Sequence, residues 1–450
     1  MLRVIGWYKN NFIFPNIVLG HQINERLIFQ NPNIACPHYT QKGTVKEWMD
    51  NVSRLCINNS RLEFAVSAAF ASPLLRLLNT EGGGIHFKGS SSLGKSKILR
   101  AAGSVWSDES FIQRWNATLN GLEAVASGYN DALLCLDELA QIDPIFAGET
   151  AYLLSNEKGK LRATKTGSST EQSKWKFLFL SNGEISLDEH MQQCGKKSKA
   201  GQEVRLADIP ADTGKFGCFE NLHEYSTGEQ FADAISTACD NFYGAVSIDY
   251  LNKIIENQQF AIRFSNEILN NFISQNKPLK ASGQVVRVLK RFAIIAAGGE
   301  LATKYGLTGW PEGGAMQGVR KCFIDWLDAR GGMESKEKLN ALRQIKNFFS
   351  LNPHQFHMWD TVLAVDLAER SSFKKYDPQG NIEFFVHLSL FRNEMCLGID
   401  AKLATTWCIE EGLLLPSKDN KPTRTECVSI NKVKGRYYRF TSKVIEENYL

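Results

Sequence analysis

The residues Gly89-Ser90-Ser91-Ser92-Leu93-Gly94-Lys95-Ser96 fit the pattern G-x-x-x-x-G-K-[ST]. That pattern suits phosphate chemistry. The glycines let the backbone curl so that its N–H groups point inward at an anion. Lys95 is placed to reach the β- and γ-phosphates, and the Ser96 hydroxyl to hold Mg2+. A short strand, Ile85–Lys88, precedes the loop, and a helix-like stretch, Lys97–Trp106, follows it. The start of that helix adds a partial positive charge facing the anion. The expected ligands are ATP and Mg2+.

Two further strand ends carry chemistry. Leu133-Leu134-Cys135-Leu136 is an apolar run that ends in Asp137-Glu138. Beside a phosphate loop, Asp137 would help hold Mg2+ through its water shell and Glu138 would polarise the attacking water. Phe177-Leu178-Phe179-Leu180 ends in Ser181-Asn182, where Asn182 could contact the γ-phosphate or the lytic water. Strand ends reading GKS, DE and SN, in that order, match an additional-strand ATPase core. In such a core all three ends line one crevice at the C-terminal edge of a parallel sheet.

Arg205 lies about twenty residues after the third strand, in AGQEVRL. In a ring-shaped ATPase, an arginine of one subunit stabilises transition-state charge in its neighbour's site. An ordinary surface arginine remains open as the other reading. Arg291 is a weaker candidate for a phosphate contact within its own chain.

The elements that must position these residues follow from periodicity. Residues 1–45 read as short strands and turns. Helical spacing covers 45–60, 61–78, 148–156, 228–243, 248–275, 282–305 and 316–330. A domain joint is expected at Gly331-Gly332. Beyond it come helices at 335–351, 388–397 and 403–411 and a strand pair at 426–430 and 436–440. A few helices with a basic hairpin are the sequence pattern of a winged helix. The expected domains are an accessory region at 1–60, an ATPase core at 61–245, a helical lid at 246–333 and a winged-helix-like domain at 334–450.

The 450 residues, 43% hydrophobic and 22% charged, are ordinary for a globular chain of several domains. No apolar run is long enough to span a bilayer, and the N-terminus lacks a signal-peptide pattern. The expected location is the cytoplasm. Ten scattered cysteines without a C-x-x-C pair argue against a disulfide framework or zinc ribbon. Cys36 with His38, and His354 with His357, lack a second ligand pair. The net charge of +4 is uninformative, but its distribution is not. Lys158, Lys160, Arg162, Lys165, Lys174 and Lys176 crowd a stretch just before the third strand. In a ring, an insertion there points at the central pore, where cations can grip a phosphate backbone without reading sequence. Lys418, Lys421, Arg424, Lys432, Lys434, Arg436, Arg439 and Lys443 cluster on the expected C-terminal hairpin, where a wing could grip DNA. Solvated basic faces are the plainer reading of both.

From Gly6-Trp7 to about Gly332 the chain resembles the family named domain of unknown function 927, helicase-type ATPases of phages, plasmids and genomic islands. The matching segments are RLEFAVSAAFASPLL (61–75), EGGGIHFKGSSSLGKSKILRAAGSVW (81–106), NATLNGLEAVASGYNDALLCLDEL (116–139), AYLLSNEKGKLRAT (151–164), FLSNGE (179–184), AGQEVRLADIPAD (200–212) and GELATKYGLTGWP (299–311). The resemblance implies an α/β fold with an AAA+ core related to superfamily 3 helicases, followed by a helical region, and a hexameric ring. It implies nucleotide-site roles for Lys95, Ser96, Asp137, Glu138 and Asn182, and it adds weight to Arg205. One departure is Ser96-Lys97, where relatives often carry Thr-Thr; serine can still ligate Mg2+. Many relatives carry a primase-like domain ahead of this core. This chain starts almost at the core, so primer synthesis would fall to a separate primase. The expected activity is DNA unwinding for replication of a mobile element. An ATP-driven DNA-binding switch or helicase loader is the alternative, and a non-catalytic binder a third.

Overall fold

The computed structural model describes residues 5–20, 37–160, 172–196, 200–359, 372–417, 419, 421–428 and 433–446. Arg162, Lys165, Lys418, Lys432 and Cys36 lie outside them. The chain forms two compact units, residues 1–333 and 334–450. Among the described residues, no helix is long and apolar enough to cross a membrane.

Unit one opens with a small antiparallel meander, β1 (Gly6–Tyr8), β2 (Asn11–Ile13) and β3 (Val18–Leu19). Trp7 pins it to the rest of the unit. Its indole donates to Pro73 O at 2.8 Å and its backbone N–H donates to the buried Asp131 carboxylate at 3.0 Å.

The centre is a five-stranded parallel sheet of β4 (Gly83–Lys88), β5 (Gln113–Arg114), β6 (Leu134–Asp137), β7 (Leu178–Gly183) and β8 (Leu206–Pro210). Its spatial order is β5-β6-β7-β4-β8. Strands β4, β6 and β7 are buried almost throughout, and the near-continuous apolar sequences reflect a sheet covered on both faces. The registers Lys88↔Gly183, Lys88↔Pro210 and Leu136↔Ser181 align the C-terminal ends along one edge.

Helices cover the sheet in two groups. The Ser60–Ala71 helix, buried at every residue, packs on the Lys95–Ser104, Gly283–Lys304 and Gly314–Ala329 helices. Close packing needs small residues: a Cβ on Gly298 would come within 2.4 Å of the Ala71 backbone, and one on Gly299 within 2.2 Å of Ser67 Oγ. The buried Arg61 pairs with Asp325 at 2.7 Å and donates to Pro210 O at 2.8 Å, tying this helix to the end of β8. The Pro144–Ser155 helix packs with those at Leu119–Gly128, Leu187–Gln192 and Ala200–Arg205. One hydrophobic core runs from Phe12 to Trp326, so residues 246–333 share it with the sheet. The helix expected over 248–275 is two, Ala245–Glu256 and Gln258–Asn276. Asn257 leaves helical geometry and caps the second with its side chain, which accepts from Phe260 N at 3.0 Å.

Unit two has more strand than expected. The Lys336–Leu351 helix is followed by β9 (Phe356–Met358), β10 (Ser372–Tyr376) and β11 (Ile382–His387). Helical turns at 388–395 and the Ala401–Glu410 helix lead to β12 (Leu414–Leu415), β13 (Arg424–Val428) and β14 (Val433–Phe440). The sheet order is β12-β14-β11-β10-β9, with β13 also on β14. One face, with Phe356, Phe384, Val386, Tyr438 and Phe440, shares a core with the helices. The alternate residues Phe373, Phe385 and Tyr437 join Trp359 in a second cluster, where Lys375 lies over Trp359 and Phe385.

Candidate active site

The phosphate loop follows β4 directly. Ser92 and Gly94 take positive φ, at 61° and 99°, which turns the chain into the Lys95–Ser104 helix. Gly94 is required twice over, because a Cβ there would also meet the Phe219 ring at 2.7 Å. Phe219 belongs to a segment after β8 that braces the loop: Cys218 N donates to Leu93 O at 2.9 Å. On the other side Gly89 N donates to Gly183 O at 3.1 Å, tying the loop to the end of β7. Lys95 is buried, and its ammonium donates to Gly89 O at 2.7 Å and Ser90 O at 2.5 Å. The amine thus sits within the loop's own curl.

Strand β7 lies between β4 and β6, so the SN strand separates the GKS and DE strands. Ser96 Oγ and Asp137 Oδ1 converge at 3.4 Å. A hydroxyl and a carboxylate so placed suit a hard, oxygen-preferring cation such as Mg2+. Glu138 has φ 58°, a turn that ends the strand, and its N–H donates to the buried Asn182 Oδ1 at 2.8 Å. Asn182 therefore fixes the backbone of Glu138. Lys95, Ser96, Asp137, Glu138 and Asn182 stand together at the C-terminal edge of the sheet.

Beneath them runs a buried polar chain that motif spacing does not reveal. Trp115 Nε1 donates to Ser181 Oγ at 2.9 Å, Ser181 Oγ meets His86 Nδ1 at 2.9 Å, and His86 Nε2 meets Ile185 O at 3.0 Å. A carbonyl can only accept, so Nε2 carries the proton and Nδ1 accepts from Ser181. The chain links β4 and β7 directly below Asn182. A histidine inside an apolar strand is its one signal in the sequence. Burial pulls His86 from 6.5 to about 4. Between those values the unfolded chain binds more protons than the folded one. Stability from this group is therefore complete above pH 6.5 and is lost as pH falls toward 4, by about 3 kcal/mol at most. Asp131 and Glu63, raised by burial to about 6 and about 7, act in the opposite direction. The readout is thus a difference: urea unfolding should show wild type losing more stability than His86→Asn between neutral pH and pH 5. Equal losses would contradict the assignment.

Arg205 stands at the other edge of the sheet. It precedes Leu206, which pairs with Gly84 at the start of β4, whereas the phosphate loop follows the end of that strand. One strand length, about 15 Å, separates the two edges. The guanidinium lies 4.2 Å over the Tyr152 ring and donates to Gly201 O at 2.9 Å and Asn156 Oδ1 at 3.3 Å. Arg291 is also at that edge, which corrects its reading as a phosphate contact. It is buried and donates to Gly84 O at 3.1 Å and Val204 O at 2.9 Å, so its work is to join strand starts. In the basic stretch, an antiparallel bridge pairs Lys158 with Lys174, Lys160 pairs with Glu149 at 2.7 Å, and Lys176 with Glu157 at 3.7 Å.

Comparison with known proteins agrees with this architecture. No curated protein matches the chain by sequence. A solved structure described as "SCCmec type IV Cch - active helicase" is similar over 97% of this chain and 78% of its own, with TM-score 0.68 and 20% identity. At that identity the likeness is one of fold. A structure of NtrX from Brucella abortus aligns with 54% of this chain and 64% of its own at 12% identity and TM-score 0.20, too low to carry an argument. The family model described as a domain of unknown function, DUF927, matches residues 1–175. The match spans the phosphate loop and the DE strand and ends before β7. The matched residues include the segments around those two motifs on which the sequence resemblance to this family rests.

Proposed function

We propose that the chain is an ATP-dependent DNA helicase or translocase, an AAA+ motor that works as a six-membered ring. The observation that carries the proposal is the position of β7 between β4 and β6, which brings Ser96, Asp137, Glu138 and Asn182 to one edge. Lys95 and the loop N–H groups hold the β- and γ-phosphates of ATP. Ser96 and Asp137 hold Mg2+, which when bound neutralises charge on the phosphate oxygens. Glu138 takes the proton of the attacking water, and Asn182 keeps Glu138 in place for it. Arg205 is too far from its own phosphate loop to serve it, which favours service to the next subunit in a ring.

The paired ends of the basic stretch support a pore insertion, with Lys158 and Lys160 among its cations. The order helix, strand, helix, helix, hairpin, with β11-β14-β12 adjacent in the sheet, favours a winged-helix-like second unit carrying extra strands β9 and β10. Replication of a mobile element is favoured by the sequence resemblance and by the likeness to a structure described as an SCCmec helicase.

Strand displacement from a forked duplex tests the motor. The expected result is ATP-dependent displacement that is lost in the Lys160→Ala, Arg162→Ala double variant while part of the hydrolysis survives. DNA-stimulated hydrolysis without displacement would contradict the motor and identify a switch or loader.

A further inference from the structure

A cleft of about 350 Å3 opens in unit two, between the β9–β10 edge of the sheet and the helical turns at 388–395. Its volume is that of a small-molecule site. Leu390 and the exposed His357 ring are its apolar and aromatic walls, and every other lining residue can hydrogen-bond. The protons of two of these are fixed by their partners. Ser372 is 2% exposed, and its Oγ accepts from His387 N at 2.9 Å, so its own proton is left to donate. Ser389 is the reverse. Its N–H donates to His387 Nδ1 at 3.3 Å, which makes that nitrogen an acceptor, so the Ser389 hydroxyl at 2.7 Å donates to it too. Ser389 Oγ then offers lone pairs to the cleft. The Glu394 carboxylate is a second acceptor, and Gln355 Nε2 stands 3.5 Å from its Oε2. The amides of Gln355 and Asn393 can turn either way.

We propose that this cleft binds a guanine base. One imidazole and one carboxylate are too few to hold a metal ion, and the carboxylate repels a phosphate. A neutral, planar, polar ligand remains. Guanine alone among the four DNA bases shows two adjacent N–H donors, N1–H and the 2-amino group, beside the O6 acceptor. A carboxylate takes both donors with its two oxygens, and the Ser372 hydroxyl suits O6. Adenine would set its N1 lone pair against the Glu394 carboxylate. The His357 ring can stack on the base, as aromatic side chains do with unpaired bases. The base could come from single-stranded DNA or from a free guanine nucleoside or nucleotide. The site lies wholly in unit two and does not rest on the reading of the ATP site.

Calorimetry on the full chain with guanosine tests this, because a nucleoside has no phosphates for the loop at Gly89–Ser96 to hold. Guanosine should bind with a Kd of about 0.1 mM. Adenosine, and inosine without its 2-amino group, should bind about tenfold more weakly or worse. Glu394→Gln sets an amide N–H2 against the donors of the base and should cost guanosine about tenfold or more. Glu394 is exposed, so this variant should melt with wild type; should it unfold, Asn393→Ala, also exposed, must weaken guanosine in its place. Fluorescence anisotropy separates the sources. A dT strand of about seven nucleotides with one central dG should bind about tenfold tighter than the all-dT strand, with the excess lost in Glu394→Gln, if the base belongs to DNA. Guanosine selectivity without that strand preference would identify a free nucleoside or nucleotide as the ligand. Equal affinity for guanosine and adenosine, guanosine binding unchanged in Glu394→Gln, or neither guanosine binding nor a dG preference would each overturn the proposal.

Discussion

A Glu138→Gln chain should bind ATP as wild type does and hydrolyse it slower by about a hundredfold or more, the usual cost of losing a positioned general base. The change keeps the shape of the side chain and removes only its basicity. The backbone N–H of Glu138 still donates to Asn182, so the site should not collapse. Nucleotide affinity should hold because Lys95, Ser96 and the loop are untouched. Asn182→Ala attacks the same step indirectly. It frees a residue held at positive φ and should lower kcat less than Glu138→Gln does. The measurement is steady-state phosphate release beside equilibrium binding of a fluorescent ATP analogue. Hydrolysis by Glu138→Gln within a few-fold of wild type would remove Glu138 from the mechanism.

Arg205→Ala should lower kcat by about a thousandfold while leaving ATP binding by the single subunit intact, the scale seen when an arginine finger is lost. The fold cost should be small, because the side chain is partly exposed and its partners are a surface ring, a backbone carbonyl and an amide. Mixing provides the sharper readout. A Lys95→Ala chain cannot use ATP but keeps its arginine, and an Arg205→Ala chain has the reverse defect. Mixed rings should regain activity, up to about a quarter of the wild-type rate if subunits mix at random around a head-to-tail ring. An arginine acting within its own chain, or not at all, gives no rescue.

Much of this site is legible in the amino-acid sequence. The strands bearing GKS, DE and SN are apolar runs that stop at a polar pair, and each lies within a few residues of the bounds those runs predict. What periodicity does not supply is lateral order. That β7 lies between β4 and β6 depends on crossover connections, not on the strands' own residues. Strand β8 is hidden because Leu206–Pro210 is short and carries Asp208 and Pro210, both poor in strands. Strand β5 is only two residues, Gln113 and Arg114. The helix expected over 148–156 begins earlier, at Pro144, where Asp143-Pro144 puts a capping carboxylate before proline. In unit two, β10 and β11 mix aromatics with charges because both sheet faces carry aromatic clusters, so the alternation that marks a half-exposed strand is blurred. The relay through Trp115, Ser181 and His86, the brace at Phe219 and the Tyr152 stack join residues far apart in sequence, and no spacing rule reaches them.

Particle imaging of the full chain with a non-hydrolysable ATP analogue and forked DNA tests the central claim most directly. The predicted image is a closed ring with one DNA strand in its channel beside Lys158 and Lys160. At each interface, Arg205 of one subunit should have left its Tyr152 ring and reached the γ-phosphate held by Lys95 of the next. Single subunits under those conditions, or a ring in which Arg205 stays on Tyr152 with nucleotide bound, would contradict the account.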